Sequence, residues 1–285
     1  MFTPANTIAA LLALAPYVIA AFFPQWAAGR ARSLPAWAQL ASPAALCLPY
    51  ALVACAGGNF RWEWLLLYAV LPVAIATLLR HSENCGWRGF LVLAVLGLAV
   101  DLRWFEGAWP AHLAIFNKVL LLDAGIYGFI ALRQLEGTGF DLRLRIRDAA
   151  TGLRELALYT PIALALGLSL GFLHLHASWP GIEPMASAWV FTFFFIAVPE
   201  ELFFRGWLQN LLERRIGRTP ALLLTAVLFG LSHFNKRAAY FNWRYVLLAA
   251  VAGVFYGRAW RRDRRVGAAA ITHASVDAIW SLWLR

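Results

Sequence analysis

The sequence predicts an all-α fold, a polytopic membrane bundle of about 8–10 transmembrane helices. Three observations predict it. Hydrophobic residues fill 61% of the 285 positions, and the mean hydropathy is +0.64. Charged residues account for only 14%, against roughly 25% in an ordinary soluble domain. The apolar residues lie in long blocks separated by short connectors rich in charge, proline or glycine. Together these features exclude a disordered chain and argue against a soluble globular enzyme.

The blocks run over residues 5–26, 38–56, 64–79, 89–105, 113–132, 155–173, 186–208, 219–234, 243–257 and 267–284. The first has no basic residue before its apolar run Ile8 to Phe23, and Arg30 and Arg32 follow it. A secretory signal has the reverse arrangement, so this block is expected to be a retained helix with its N-terminus outside. Blocks 64–79 and 89–105 are the shortest spans. The net charge of +10 comes from arginines concentrated in the connectors. Alternating the connectors puts Arg30, Arg32, Arg80, Arg88, Arg133, Arg143, Arg145, Arg147, Arg154, Arg205, Arg214, Arg215, Arg218, Arg258, Arg261, Arg262, Arg264 and Arg265 inside, 18 of the 25 basic residues. That bias follows the positive-inside rule and identifies the charge with a lipid headgroup surface, not with nucleic acid.

The longest polar connector, 133–154, divides a multi-helix region at 1–150 from a second region at 151–285. Within it, Leu142, Leu144 and Ile146 alternate with Arg143, Arg145 and Arg147, a pattern suited to the anionic inner membrane surface. Cys47, Cys55 and Cys85 form no CxxC pair, so a disulfide framework or a cysteine zinc site gains no support. Lys118 and Asp123 are the exceptions to an apolar N-terminal half. They are read as a structural ion pair, or as charges of which one snorkels to the interface.

Ionisable residues inside spanning helices are costly and point to function. Of the acids well inside a block, Glu200, Glu201 and Asp277 fall in the C-terminal half, as do His233 and His273. They form three clusters. In Pro199-Glu200-Glu201-Leu202-Phe203-Phe204-Arg205, Glu201 and Arg205 are four apart and can pair on one helical face. Glu200 points about 100° away and keeps no local partner, which suits a general base in a low-dielectric site. Pro199 is positioned to kink the helix there. In Phe229-Gly230-Leu231-Ser232-His233, Phe229 and His233 share a face, and in His273-Ala274-Ser275-Val276-Asp277 the histidine and aspartate do. A hairpin turning at Ile216-Gly217-Arg218 is expected to bring Glu200 and His233 to one level, since each stands about 25 Å from the turn at ~1.5 Å per residue. Residues 206–215 are partly polar, so the hairpin tip is expected at the cytosolic interface.

Three motifs in this order, EExxxR, FxxxH and HxxxD, each on an apolar helix, resemble the CPBP family of CAAX-protease and bacteriocin-processing (Abi) intramembrane endopeptidases. The resemblance covers roughly residues 155–285. It implies proteolysis within the membrane, with Glu200 activating water with help from His233. His273 and Asp277 would stabilise the oxyanion, where some members carry Asn in place of Asp277. Glu201 and Arg205 would support the site, and Phe229 would line its cavity. The substrate implied is a membrane-anchored or lipidated protein or peptide. Whether a metal takes part stays open: Glu200, His233 and His273 can also ligate a divalent ion such as zinc, or activate water without one.

Two other classes compete. An ion-coupled transporter requires acids spread through the bilayer and an inverted repeat, and neither is evident. A catalytically silent scaffold or immunity protein is compatible with the composition but not with a reason to keep all three motifs. The Arg-, Ala- and Leu-rich, Lys-poor chain is expected in a GC-rich bacterium, as a multi-pass protein of the plasma membrane with its active site facing the cytosol.

Overall fold

The computed structural model describes residues 3–80, 86–176, 179–236 and 240–284, all helix and connecting turns with no strand among them. Cys85 lies outside the described residues. The chain forms two compact units, Met1–Glu136 and Gly137–Arg285.

The first unit contains α1 (Pro4–Phe22), α2 (Pro24–Ser33), α3 (Ala36–Ala56), α4 (Trp62–Arg80), α5 (Trp87–Asp101) and α6 (Ala111–Leu132). Thr3 caps α1, its side chain accepting from the Asn6 amide at 3.2 Å, and Pro4 occupies the first turn where no amide is needed. The helix turns its small residues inward: Ala9, Ala13, Ala20 and Ala21 are buried, whereas Ile8, Leu11, Leu12 and Val18 are exposed. Water would penalise that arrangement. Lipid does not, and small inward residues let helices approach closely. The core end of this unit is aromatic, with Trp109 Nε1 donating to Tyr68 Oη at 2.7 Å and Tyr68 donating to Asn117 Oδ1 at 3.2 Å. Asp123 is buried and Lys118 is exposed. Five positions along an α-helix put them about 140° apart, so no ion pair joins them among the described residues, and the structural-pair reading is set aside.

The second unit opens with an arm, residues 137–145, that precedes α7 (Ile146–Ser169). Residues 137–150 pack with this unit, although the sequence pattern groups them with the N-terminal region. The reason is hydrogen bonding: Thr138 O accepts from Trp260 Nε1 at 3.1 Å, and Gly139 O accepts from the Val266 amide at 2.9 Å. Arg265 donates to Asp148 at 2.8 and 2.9 Å and to the carbonyls of Asp141 and Arg143. Leu142 is buried, whereas Leu144 and Ile146 stay exposed beside Arg143, Arg145 and Arg147.

Then follow α8 (Ile182–Ile216), α9 (Arg218–Leu231), α10 (Trp243–Asp263) and α11 (Val266–Trp283). Helix α8 is widened to π geometry over Phe193–Ala197 and again over Leu202–Gln209, on either side of the turn Val198–Glu201 that holds Pro199. A proline lacks the amide that an inner turn needs, and π turns accommodate the displaced backbone, commonly at functional positions. Gly217, at φ 83°, makes the expected reversal between α8 and α9, in a conformation that a side chain would strain. Near the tip Arg215 and Arg218 are exposed, whereas some polar residues turn inward. Gln209, Asn210 and Glu213 are buried, and Glu213 is tied to Arg261 at 2.9 Å and to Arg264 at 2.5 Å.

Among the described residues, five helices, α1, α3, α4, α6 and α8, are long and apolar enough to cross a membrane. The sequence count of about 8–10 included further blocks that do form helices but fall short of that measure. Helix α5 has 15 residues, α9 has 14, α7 and α10 carry several charges, and α11 gives its polarity to Thr272, His273, Ser275 and Asp277.

Candidate active site

The adjacent acids of α8 diverge as helical geometry requires. Glu201 turns into the unit and is fully buried. Its Oε1 accepts from Arg205 Nη1 at 3.0 Å, one turn along the helix, and from His273 Nδ1 of α11 at 2.8 Å. Arg205 is equally buried and donates its Nη2 to the Gly253 carbonyl of α10 at 3.0 Å. Its guanidinium lies 4.5 Å from the Phe229 ring centroid and 5.3 Å from that of Tyr256. Burying an ion costs several kcal/mol unless its hydrogen bonds and counter-charge are supplied. Here one carboxylate, one carbonyl and two ring faces supply them. Gly253 permits the approach, because an added Cβ would come within 3.1 Å of the Ala226 backbone on α9.

Glu200 is partly exposed and faces the other way. Its Oε1 is 3.7 Å from Lys236 Nζ, and its Oε2 is 3.9 Å from His273 Nε2. Lys236 corrects the reading of Glu200 as lacking a local partner. The lysine stands far along the chain but follows α9, and the hairpin returns that segment to the level of the acids. Asp277, one turn after His273, places Oδ2 3.6 Å from the same Nε2. One imidazole therefore has Glu201 at Nδ1, and Glu200 and Asp277 at Nε2.

His233, just beyond the end of α9, donates Nδ1–H to the Phe229 carbonyl at 2.8 Å, which turns its Nε2 to accept. Phe229 is the hub between the histidines, with ring centroids 4.9 Å from His233 and 5.6 Å from His273. On the remaining face of His273 lies Tyr256 of α10, stacked at 4.6 Å and 14°. The sequence reading did not single out Tyr256 or Lys236. Neither belongs to a cluster of like chemistry, and the only cue for Tyr256 was its place between Gly253 and Gly257.

A cavity of about 90 Å³, partly open to the outside, opens on this cluster. Phe229, His233, Tyr256, His273 and Asp277 line its polar end, and Leu164, Phe172, Leu248 and Trp280 line an apolar arm between α7, α10 and α11. Glu200 and Glu201 are not among its lining residues; they reach it through His273. Among the described residues, no three His, Cys, Asp or Glu side chains gather closely enough to hold a metal ion. The set Glu200, His233 and His273 thus does not gather closely enough for a zinc ion in this arrangement.

Fold and site together define a class: a helical membrane protein with a carboxylate–imidazole cluster at the end of an apolar cavity. Residues 181–279 match the model of the family described as type II CAAX prenyl endopeptidase, Rce1-like. That stretch is similar to this CAAX-protease family and contains every residue of the three motifs, from Glu200 to Asp277. At family level the match supports a CAAX-type intramembrane endopeptidase. No curated protein and no solved structure matches the chain.

Proposed function

We propose that this protein is a membrane-embedded endopeptidase that hydrolyses a peptide bond of a membrane-associated or lipidated protein or peptide. The observation that carries the reading is the convergence of Glu200 and Asp277 within 4 Å of the His273 Nε2, beside a cavity that His233 also lines. Glu200 is the general base that takes a proton from the attacking water and returns it to the amine nitrogen as the C–N bond breaks. His233, with Nε2 turned to accept, orients that water. His273, protonated at Nε2, donates to the oxyanion as the carbonyl carbon becomes tetrahedral, and Asp277 steadies it. Glu201 and Arg205 hold the cluster. The apolar arm suits a hydrocarbon chain or apolar side chains next to the scissile bond, which favours substrates held in the bilayer. The site belongs to a bacterial plasma-membrane protein, opening to the cytosol, where the basic connectors lie.

The test compares membrane peptidomes of cells carrying the wild type with cells carrying Glu200→Gln at matched expression. General-base loss costs about 10²–10⁴ in rate, so one or a few membrane precursors are expected to accumulate while their cleaved ends disappear. Identical peptidomes with folded wild type present would sink the reading and leave a silent scaffold in its place.

A further inference from the structure

Tyr256 lies outside the three motifs, yet it makes the closest ring contact of His273, 4.6 Å between centroids and 14° from parallel. The tyrosine is buried and cannot leave that face without vacating packed space. Its own position is set from the acid-bearing helix. Arg205 donates to the carbonyl of Gly253, three residues before Tyr256 on α10, and its guanidinium lies 5.3 Å from the Tyr256 ring. Phe229 closes the edge of both rings, 5.7 Å from Tyr256 at 75° and 5.6 Å from His273 at 89°. The imidazole is thus gripped three ways: at Nδ1 by Glu201, on one face by Tyr256, and at its edge by Phe229.

A hydrogen bond at Nδ1 alone leaves a ring free to swing about that bond. A stacked face removes the swing. With the ring plane held, Nε2 points at the space that Glu200 and Asp277 share, 3.9 and 3.6 Å away. We infer that Tyr256 is a positioning residue that holds the plane of the His273 imidazole, and that its ring, not its hydroxyl, does so. The inference rests on the proposed peptidase reading for its kinetic consequence, but not for the geometry itself.

Two readouts test it, on the full-length protein in detergent micelles. The first is cleavage of an internally quenched peptide ending in a farnesylated CAAX tetrapeptide. Tyr256→Leu is expected to lower kcat by about 10–100-fold with KM changed by less than about threefold, as misplacement of a reacting group by an ångström does. Tyr256→Phe keeps the ring and is expected to restore kcat to within about threefold of wild type. The second readout needs no turnover. Protons of the His273 imidazole beneath a stacked ring resonate upfield in the NMR spectrum. That shift is expected to persist in Tyr256→Phe and to vanish in Tyr256→Leu, with His273→Asn assigning the signal. If Tyr256→Leu does not fold, Tyr256→Met takes its place. Equal kinetic losses in the Phe and Leu variants, a loss confined to KM, or an unchanged His273 spectrum in Tyr256→Leu overturns the proposal. Wild type that cleaves nothing counts against the peptidase reading alone, and the spectrum then decides the role of Tyr256.

Discussion

The two units of the chain bury polar groups in opposite ways. Among the described residues of the first unit, only Asn117 and Asp123 are buried polar or charged side chains, and the rest of its interior is alanine, aliphatic and aromatic. The second unit buries Asp148, Glu155, Glu201, Arg205, Glu213, His233, Arg265 and His273, with further hydroxyls and amides. Nearly every one of these charges meets an opposite charge on another helix or another turn: Asp148 with Arg265, Glu155 with Arg258, Glu213 with Arg261 and Arg264. A membrane interior penalises each such group. The contrast teaches that the second unit carries a cost which packing alone does not require, and two of its buried groups, His233 and His273, line the cavity.

Three substitutions sharpen or break this comparison. The largest effect is expected from Glu201→Gln, which leaves the Arg205 guanidinium buried without its carboxylate. Breaking a buried pair costs about 3–5 kcal/mol, so thermal unfolding in detergent should move down by several degrees. Cleavage should be lost with it, because His273 loses its Nδ1 acceptor. A variant as stable as wild type would mean that the pair holds nothing together. Next is Asp123→Asn, the matching change in the first unit. It replaces a buried carboxyl that no ion pair secures among the described residues with an amide of the same shape, so stability should change by less than about 1 kcal/mol and cleavage should stay at the wild-type rate. A fall in cleavage would break the comparison and bring the first unit into the chemistry.

The smallest effect concerns Asp141, in the arm outside the spanning helices. Hydrogen bonds from Arg143, at 2.9 Å from both Nε and Nη2, hold its carboxyl below the usual aspartate range. A group whose pKa is depressed on folding adds stability above its unfolded pKa and loses it as the pH falls through the folded value. Asp141→Asn should therefore cost at most about 1 kcal/mol at neutral pH. The gap between the two proteins should close as unfolding is measured below about pH 4, the unperturbed aspartate value. A gap that persists in acid would mean that the arm is held by its backbone contacts alone.

Much of this was legible in the sequence for definite reasons. The Glu201–Arg205 pair follows from four-residue spacing, the hairpin from Gly217, and the membrane class from composition. What stayed hidden depended on long-range contact. Lys236 reaches Glu200 only because the hairpin closes, and Tyr256 reaches His273 only because α10 and α11 pack side by side. Polarity in the stretch 206–215 cannot show that Gln209 donates to Glu213, or that Glu213 faces Arg261 of α10. The further apolar blocks do form helices, and α11 carries among its apolar residues the groups the site needs.

The reversal at Gly217 has a consequence for how this gene can change. The two arms of the hairpin work as a caliper whose jaws are Glu200 and His233, and its setting is counted in residues. One residue added to either arm advances that jaw by about 1.5 Å and rotates it by about 100°, which would turn its side chain out of the cavity. Inserting one residue in both arms restores the level but not the facing. Length variation among relatives should therefore be absent between the acids and the histidine, and should accumulate instead in the stretches that join α7 to α8 and α9 to α10.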